Sequence, residues 1–207
     1  MELIAMISML IDHIGVTFFP EQDSFRIIGR LAFPIYAFAL VRGYQYTRSH
    51  KHYVLRLLLI ALLAQLPYML LFETWDMNVV FTLSLSLACL VFVDRYKKID
   101  PMIAILILVC ACIVADLLPF EYGAYGVLLV HAYRFFTGWL LIAAHLALNG
   151  LELMMGVPLQ IYSLIPTLFI AWSSGAWNSK RWVAGWIWRT FYPIHLLVLA
   201  VVVYFLR

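Results

Sequence analysis

Residues 101–118 read PMIAILILVCACIVADLL, and only Asp116, near the end of the run, carries a charge. An apolar run of about this length is what an α-helix needs to cross the hydrocarbon of a bilayer. The run also holds Cys110 and Cys112; the third cysteine, Cys89, lies in another apolar segment. Thiols so placed behave as small hydrophobes, and no CxxC spacing occurs, so neither a disulfide nor a metal site is expected.

The same pattern recurs along the chain. Apolar residues make up 65% of the 207 and charged residues 12%, against roughly half and a quarter in a soluble domain. A soluble fold could not hide so much apolar surface. Candidate spans fall at 3–19, 26–47, 54–72, 78–95, 101–118, 123–137, 138–155, 158–173 and 187–206. The connectors are short and none is large enough for a separate domain. The expected fold is therefore all-α: a polytopic membrane bundle of about nine transmembrane helices, forming one domain over residues 1–207. Arg134, His145 and Asn149 interrupt 123–155, which reads as two short or tilted helices or as one span plus a re-entrant piece. Met1-Glu2-Leu3 lacks a basic leader, so the first apolar segment is expected to stay as a spanning helix. Pro34, Pro67, Pro166 and Pro193 each remove a backbone hydrogen bond within a span, and bends there could open a cavity.

Basic residues in short loops favour the cytoplasm. Arg48 and Lys51, then Arg95, Lys97 and Lys98, then Arg134, then Lys180 and Arg181 alternate with the acidic connectors at Glu21 and Asp23, Glu73 and Asp76, Glu121, and Glu152. That alternation predicts a cytoplasmic N-terminus and an external C-terminus. The net charge of +3 comes from these loops, so it speaks for topology and an anionic partner, and no nucleic-acid motif is present.

An ionisable group in hydrocarbon costs several kcal/mol unless paired or hydrated, so each one asks for a partner or a function. Within MLIDHIG at residues 9–15, Asp12 and His13 sit together, in the outer half of the first span by the topology above. Adjacent helical residues point about 100° apart, so the two need not bond each other. His13 reads as a general base or as half of a polar pair that fastens helices. Arg26 and Arg30 share one face of the second span. Arg26 can snorkel to headgroups, whereas Arg30 lies a turn deeper and calls for a carboxylate, with Asp12 or Asp116 as candidates. Asn78, Thr82 and Ser86 form a polar stripe on the fourth span, and His145, Asn149 and Glu152 another on the seventh. His195 follows Pro193 in the inner half of the last span, either bonded to a freed carbonyl or facing a donor. Arg42, Arg48, Lys51 and Arg56, with His50 and His52, gather at one surface, suited to lipid headgroups or to a phosphorylated cofactor.

Five stretches carry a resemblance: MLIDHIG at 9–15, RIIGRLAFPIYAF at 26–38, NVVFTL at 78–83, YGAYG at 122–126 and FYPIHL at 191–196. Together they resemble the TraX family, whose founding member is associated with N-acetylation of conjugative pilin, and which is distantly similar to bacterial surface-glycan acyltransferases and to lysosomal heparan-α-glucosaminide N-acetyltransferase. The resemblance implies a bacterial cytoplasmic-membrane enzyme that takes an acetyl group from acetyl-CoA. It implies catalysis at His13 and a donor held by Arg48, Lys51 and Arg56; the reading of the residues adds Asp12 to orient or charge-balance the site, Arg30 against developing negative charge, and His195 at the donor. Arg26, Asn78, Thr82, Asp116 and Tyr122 are the acceptor-side candidates. The acceptor is an amine or hydroxyl of a peptide, a pilin or a glycan; membrane lipids are further partners, and a homodimer is left open. Direct transfer and an acetyl-histidine intermediate both remain. Two other classes fit a buried Asp, His and Arg: a small proton-coupled transporter or exporter, and a noncatalytic membrane scaffold.

Overall fold

A computed structural model describes residues 1–172 and 183–206. In chain order its helices are α1 (Glu2–Phe18), α2 (Asp23–Gly29), α3 (Ala32–Tyr46), α4 (His50–Phe72), α5 (Val79–Tyr96), α6 (Pro101–Leu117), α7 (Gly123–Phe135), α8 (Gly138–Met154), a 3₁₀ turn (Pro158–Ser163), α9 (Leu164–Trp172) and α10 (Gly185–Leu206). Taking α2 with α3, and the 3₁₀ turn with α9, the described residues hold nine helical segments, as expected. Four of them, Asp23–Tyr46, His50–Phe72, Val79–Tyr96 and Gly185–Leu206, are long and apolar enough to cross a membrane. Lys180 and Arg181, the last of the basic loops, lie outside the described residues.

Local chemistry sets the boundaries. Ser49 caps α4 by accepting the His52 amide, so that helix starts four residues before the apolar run that announces it. Asp100 caps α6 through the Met102 amide, with Pro101 in the first turn. The second span is broken at Arg30–Leu31. Pro34 is the reason: its ring clashes with the carbonyl four residues back and cannot accept the regular turn there. Residues 123–155 form two helices, α7 and α8, joined at Phe136 and Thr137.

The packing is inside-out relative to a water-soluble fold. Leu55, Leu59, Leu62, Leu63, Leu66 and Leu70 of α4 are all more than half exposed, whereas Asn78, Thr82, Ser86, His145, Asn149 and Thr167 are buried. Such a surface suits lipid rather than water. α10 packs along α4, α1 along α2, and α5 between α4, α6 and α7. The α1–α2 crossing is close because of two glycines. A Cβ on Gly15 would come within 2.2 Å of the Phe25 Cβ, and one on Gly29 within 2.0 Å of Asp12 Oδ1. At the ends of α3, α5 and α7, Asp94 accepts from Tyr44 Oη at 2.8 Å and Arg134 Nη2 at 2.9 Å, and pairs with Lys97 at 2.5 Å.

Candidate functional site

His13 and His195 meet in the interior. Their rings are nearly parallel, 11° apart, and meet edge to edge with centroids 5.0 Å apart and His13 Nδ1 2.8 Å from His195 Nε2. The topological reading put them in opposite halves of the bilayer; the structure sets them at one depth. Both helices start at the same end of the bundle, where Glu2 Oε2 accepts the Val183 amide. His13 and His195 lie about 16 and about 15 Å along their helices at 1.5 Å per residue. His195 Nδ1 lies 2.7 Å from the Phe191 carbonyl oxygen, the group one turn back rather than the Arg189 carbonyl that Pro193 frees.

His13 lines a narrow cavity of about 60 Å³, shared with Asp12, Tyr36, Glu121, Tyr122 and Tyr192. Asp12 is paired: Arg26 Nη1 donates to both its oxygens at 3.0 and 2.9 Å. This corrects the expected pairing of Arg30 with Asp12 or Asp116. Arg30 lies at the helix break, which turns its Nη1 onto Gln160 Oε1 of the 3₁₀ turn at 3.0 Å, while Asp116 accepts the Ala124 amide at 2.7 Å and holds the start of α7.

Glu121 is positioned from three sides. Its backbone N–H donates to the Met77 carbonyl at 2.9 Å, its carboxylate accepts the Val79 amide at 3.0 Å, and its carbonyl accepts from Thr82 Oγ1. Burial raises its carboxyl to about 7, reinforced by the charge of Asp12 and opposed by the Val79 hydrogen bond and the nearby Arg26 and Arg30. Tyr122 follows at φ 66° and stacks flat on Phe33 at 4.0 Å.

A second, broader cavity of about 530 Å³ opens toward the start of α1 and α10. Arg42, Arg56 and Arg189 line it, with Tyr46, Tyr53 and Trp188. Arg42 lies over the Tyr46 ring at 5.2 Å and Arg56 over Tyr53 at 5.0 Å. Tyr36, Val80, Leu83 and Tyr192 line both cavities, so the two are neighbours across one shared wall. The Tyr36 hydroxyl is buried there without a hydrogen-bond partner.

The TraX protein family matches residues 1–203. The chain belongs to the TraX family. A relative described as "Probable fimbrial assembly protein FimC, serogroup H1", from Dichelobacter nodosus, is 26% identical over all of this chain and 96% of its own length. An uncharacterized protein of Rickettsia prowazekii (strain Madrid E) is 41% identical over 51 residues, a quarter of this chain and 20% of that protein. No solved structure matches.

In this TraX protein the structure gathers some of the sequence-derived candidates and disperses others. His13, Asp12 and Tyr122 line the narrow cavity, Arg26 binds Asp12, and His195 backs His13 rather than standing with the basic loop. Arg56 lines the broad cavity; Arg48 and Lys51 are exposed beyond it. Asn78 is spent on structure, donating to the Ala61 carbonyl and Gln65 Oε1 while capping α5 through Val80. Neither Asn78 nor Thr82 lines either cavity. The sequence reading passed over Tyr36, Arg189 and Tyr192, and used Glu121 only as a marker of topology. Tyr36 and Tyr192 sit inside the two shared stretches RIIGRLAFPIYAF and FYPIHL, and that was the available signal.

Proposed function

We propose that the protein is an acyl-CoA-dependent membrane acetyltransferase, moving an acetyl group from acetyl-CoA to an amine or hydroxyl acceptor with His13 as general base. The observation that carries this reading is the adjacency of the two cavities across one shared wall: three arginines, Glu2 and aromatic side chains line the broad one, and the His13 imidazole lines the narrow one. A volume of several hundred Å³ suits a cofactor-sized ligand. In the proposed orientation the broad cavity opens to the cytoplasm. The CoA phosphates bind Arg42, Arg56 and Arg189 through charge-assisted hydrogen bonds, and the pantetheine arm brings the thioester past Tyr36 and Tyr192. Glu2 lines one cavity and His13 the other, about 16 Å apart along α1.

The acceptor nitrogen or oxygen then attacks the thioester carbon and gives its proton to His13 Nε2. The C–S bond breaks, and the CoA thiolate takes that proton back from the His13 imidazolium to leave as the thiol, which regenerates the base. The uncommitted Tyr36 hydroxyl donates to the oxygen on which negative charge develops. Arg30 lines neither cavity, so in this reading it braces the helix break through Gln160. The fimbrial-assembly description of the Dichelobacter nodosus relative supports a subunit of a surface appendage as the acceptor, carrying an amine or a glycan hydroxyl.

The test uses the full chain in lipid nanodiscs with acetyl-CoA and a panel of acceptors: a peptide amine, an amino sugar and a sugar hydroxyl. Thiol release coupled to acetylated product is expected from the wild type and lost in His13→Ala. Equal activity in the variant removes the base. Solute accumulation in proteoliposomes without acyl-CoA, and no transfer to any acceptor, replaces the enzyme with a transporter.

A further inference from the structure

We infer that His195 is the positioning residue that fixes the tautomer of His13, holding a proton on Nδ1 and leaving Nε2 as the bare nitrogen available to an acceptor. A backbone carbonyl can only accept, so the 2.7 Å contact between His195 Nδ1 and the Phe191 oxygen makes Nδ1 the protonated nitrogen of that ring. With both imidazoles neutral, His195 Nε2 is then a lone pair. The 2.8 Å contact between it and His13 Nδ1 therefore needs the proton on His13 Nδ1. The chain of bonds runs from His13 to His195 to the backbone of α10, with no choice of direction. Among the described residues no carboxylate bonds either ring; Asp12 is turned to Arg26. The part that a buried carboxylate plays behind many catalytic histidines falls here to a second imidazole, itself held by the helix. Phe191 stacks on His195 at 4.6 Å and Tyr192 meets it edge-on at 5.6 Å, which keeps the ring from turning.

The inference rests on the acyl-transfer reading only for its kinetic consequence, and one measurement is independent of activity. In the full chain with ¹⁵N-labelled histidine in nanodiscs, the His13 resonances, assigned by loss in His13→Gln, are expected to show a protonated Nδ1 and a bare Nε2 at neutral pH. A protonated Nε2 overturns the inference without touching the proposed function. For turnover, His195→Leu is expected to lower kcat about 100-fold while the KM for acetyl-CoA stays within about threefold. His195→Gln, whose amide oxygen can still accept from Nδ1–H, is expected to recover at least about tenfold of that loss. Equal losses in the two variants overturn it, and so does a rise in KM with kcat unchanged, which would make His195 a donor contact.

Discussion

Two buried histidines separate the working part of this bundle from its scaffold. His145 on α8 is fully engaged: Nε2 meets Tyr125 Oη at 2.8 Å and Ser163 Oγ at 3.1 Å, and Nδ1 meets Thr167 Oγ1 at 2.6 Å. Tyr133 and Asn149 close the network through Thr167 and Ser163. The residue is 0% exposed and lines neither cavity. His13, 6% exposed, has one nitrogen committed and lines a cavity next to a larger cationic one. Both are imidazoles in apolar helices, so the difference lies wholly in what surrounds them. A satisfied network fastens helices, whereas a half-satisfied ring lining a cavity has a proton-transfer site to offer.

The comparison breaks most easily by deletion. Replacing His13 with Ala is expected to cost about 10²- to 10⁴-fold in acetyl transfer, the usual contribution of a positioned base, with little change in melting temperature; a kinetic assay beside a thermal melt reads both. His145→Ala should do the reverse, removing the central member of the network and one partner each from the hydroxyls of Tyr125, Ser163 and Thr167. A loss of about 2–4 kcal/mol of stability is expected, with kcat per folded molecule retained. If His145→Ala abolishes turnover in folded protein, the distinction drawn between the two regions fails.

A smaller effect is expected at the donor cavity. Arg56→Ala should raise the KM for acetyl-CoA about tenfold, the loss of one charge-assisted hydrogen bond, whereas Arg48→Ala and Lys51→Ala, outside the cavity, should stay within about twofold. Steady-state kinetics on the three variants decides which basic residues face the donor.

The smallest effect concerns Glu121, whose carboxyl is raised to about 7 by burial. An acid with a raised folded pKa binds its proton more tightly in the native state than in the unfolded one. Its fold is favoured at low pH, and that advantage is lost as pH climbs from the ordinary glutamate range through about 7. Melting temperatures of the wild type are expected to fall across that window, and Glu121→Gln to flatten the fall; a parallel decline in both would assign the pH dependence to another group.

Much of the fold was legible in the sequence because bilayer thickness imposes a length on each apolar run and forces polar groups to stand out against it. The nine segments followed from that, and so did the choice of His13 and Asp12 as groups needing an explanation. Glycines in MLIDHIG and RIIG, read only as parts of shared stretches, turn out to be where α1 and α2 touch. The break at Arg30–Leu31 was written in Pro34, yet its consequence was not, since redirecting Arg30 to Gln160 depends on a 3₁₀ turn 130 residues away in sequence.

By itself, then, the sequence determined an all-helical, lipid-compatible chain of the TraX family and the few ionisable side chains placed within it, since length and hydropathy act locally along the helix. Which of those side chains meet was decided only by tertiary structure. His13 finds His195 across 182 positions, Arg26 takes the carboxylate expected for Arg30, and Tyr36 is left with a free hydroxyl between two cavities. Those outcomes depend on the angles and depths at which helices cross, and packing of close surfaces sets them, not any residue's own preference.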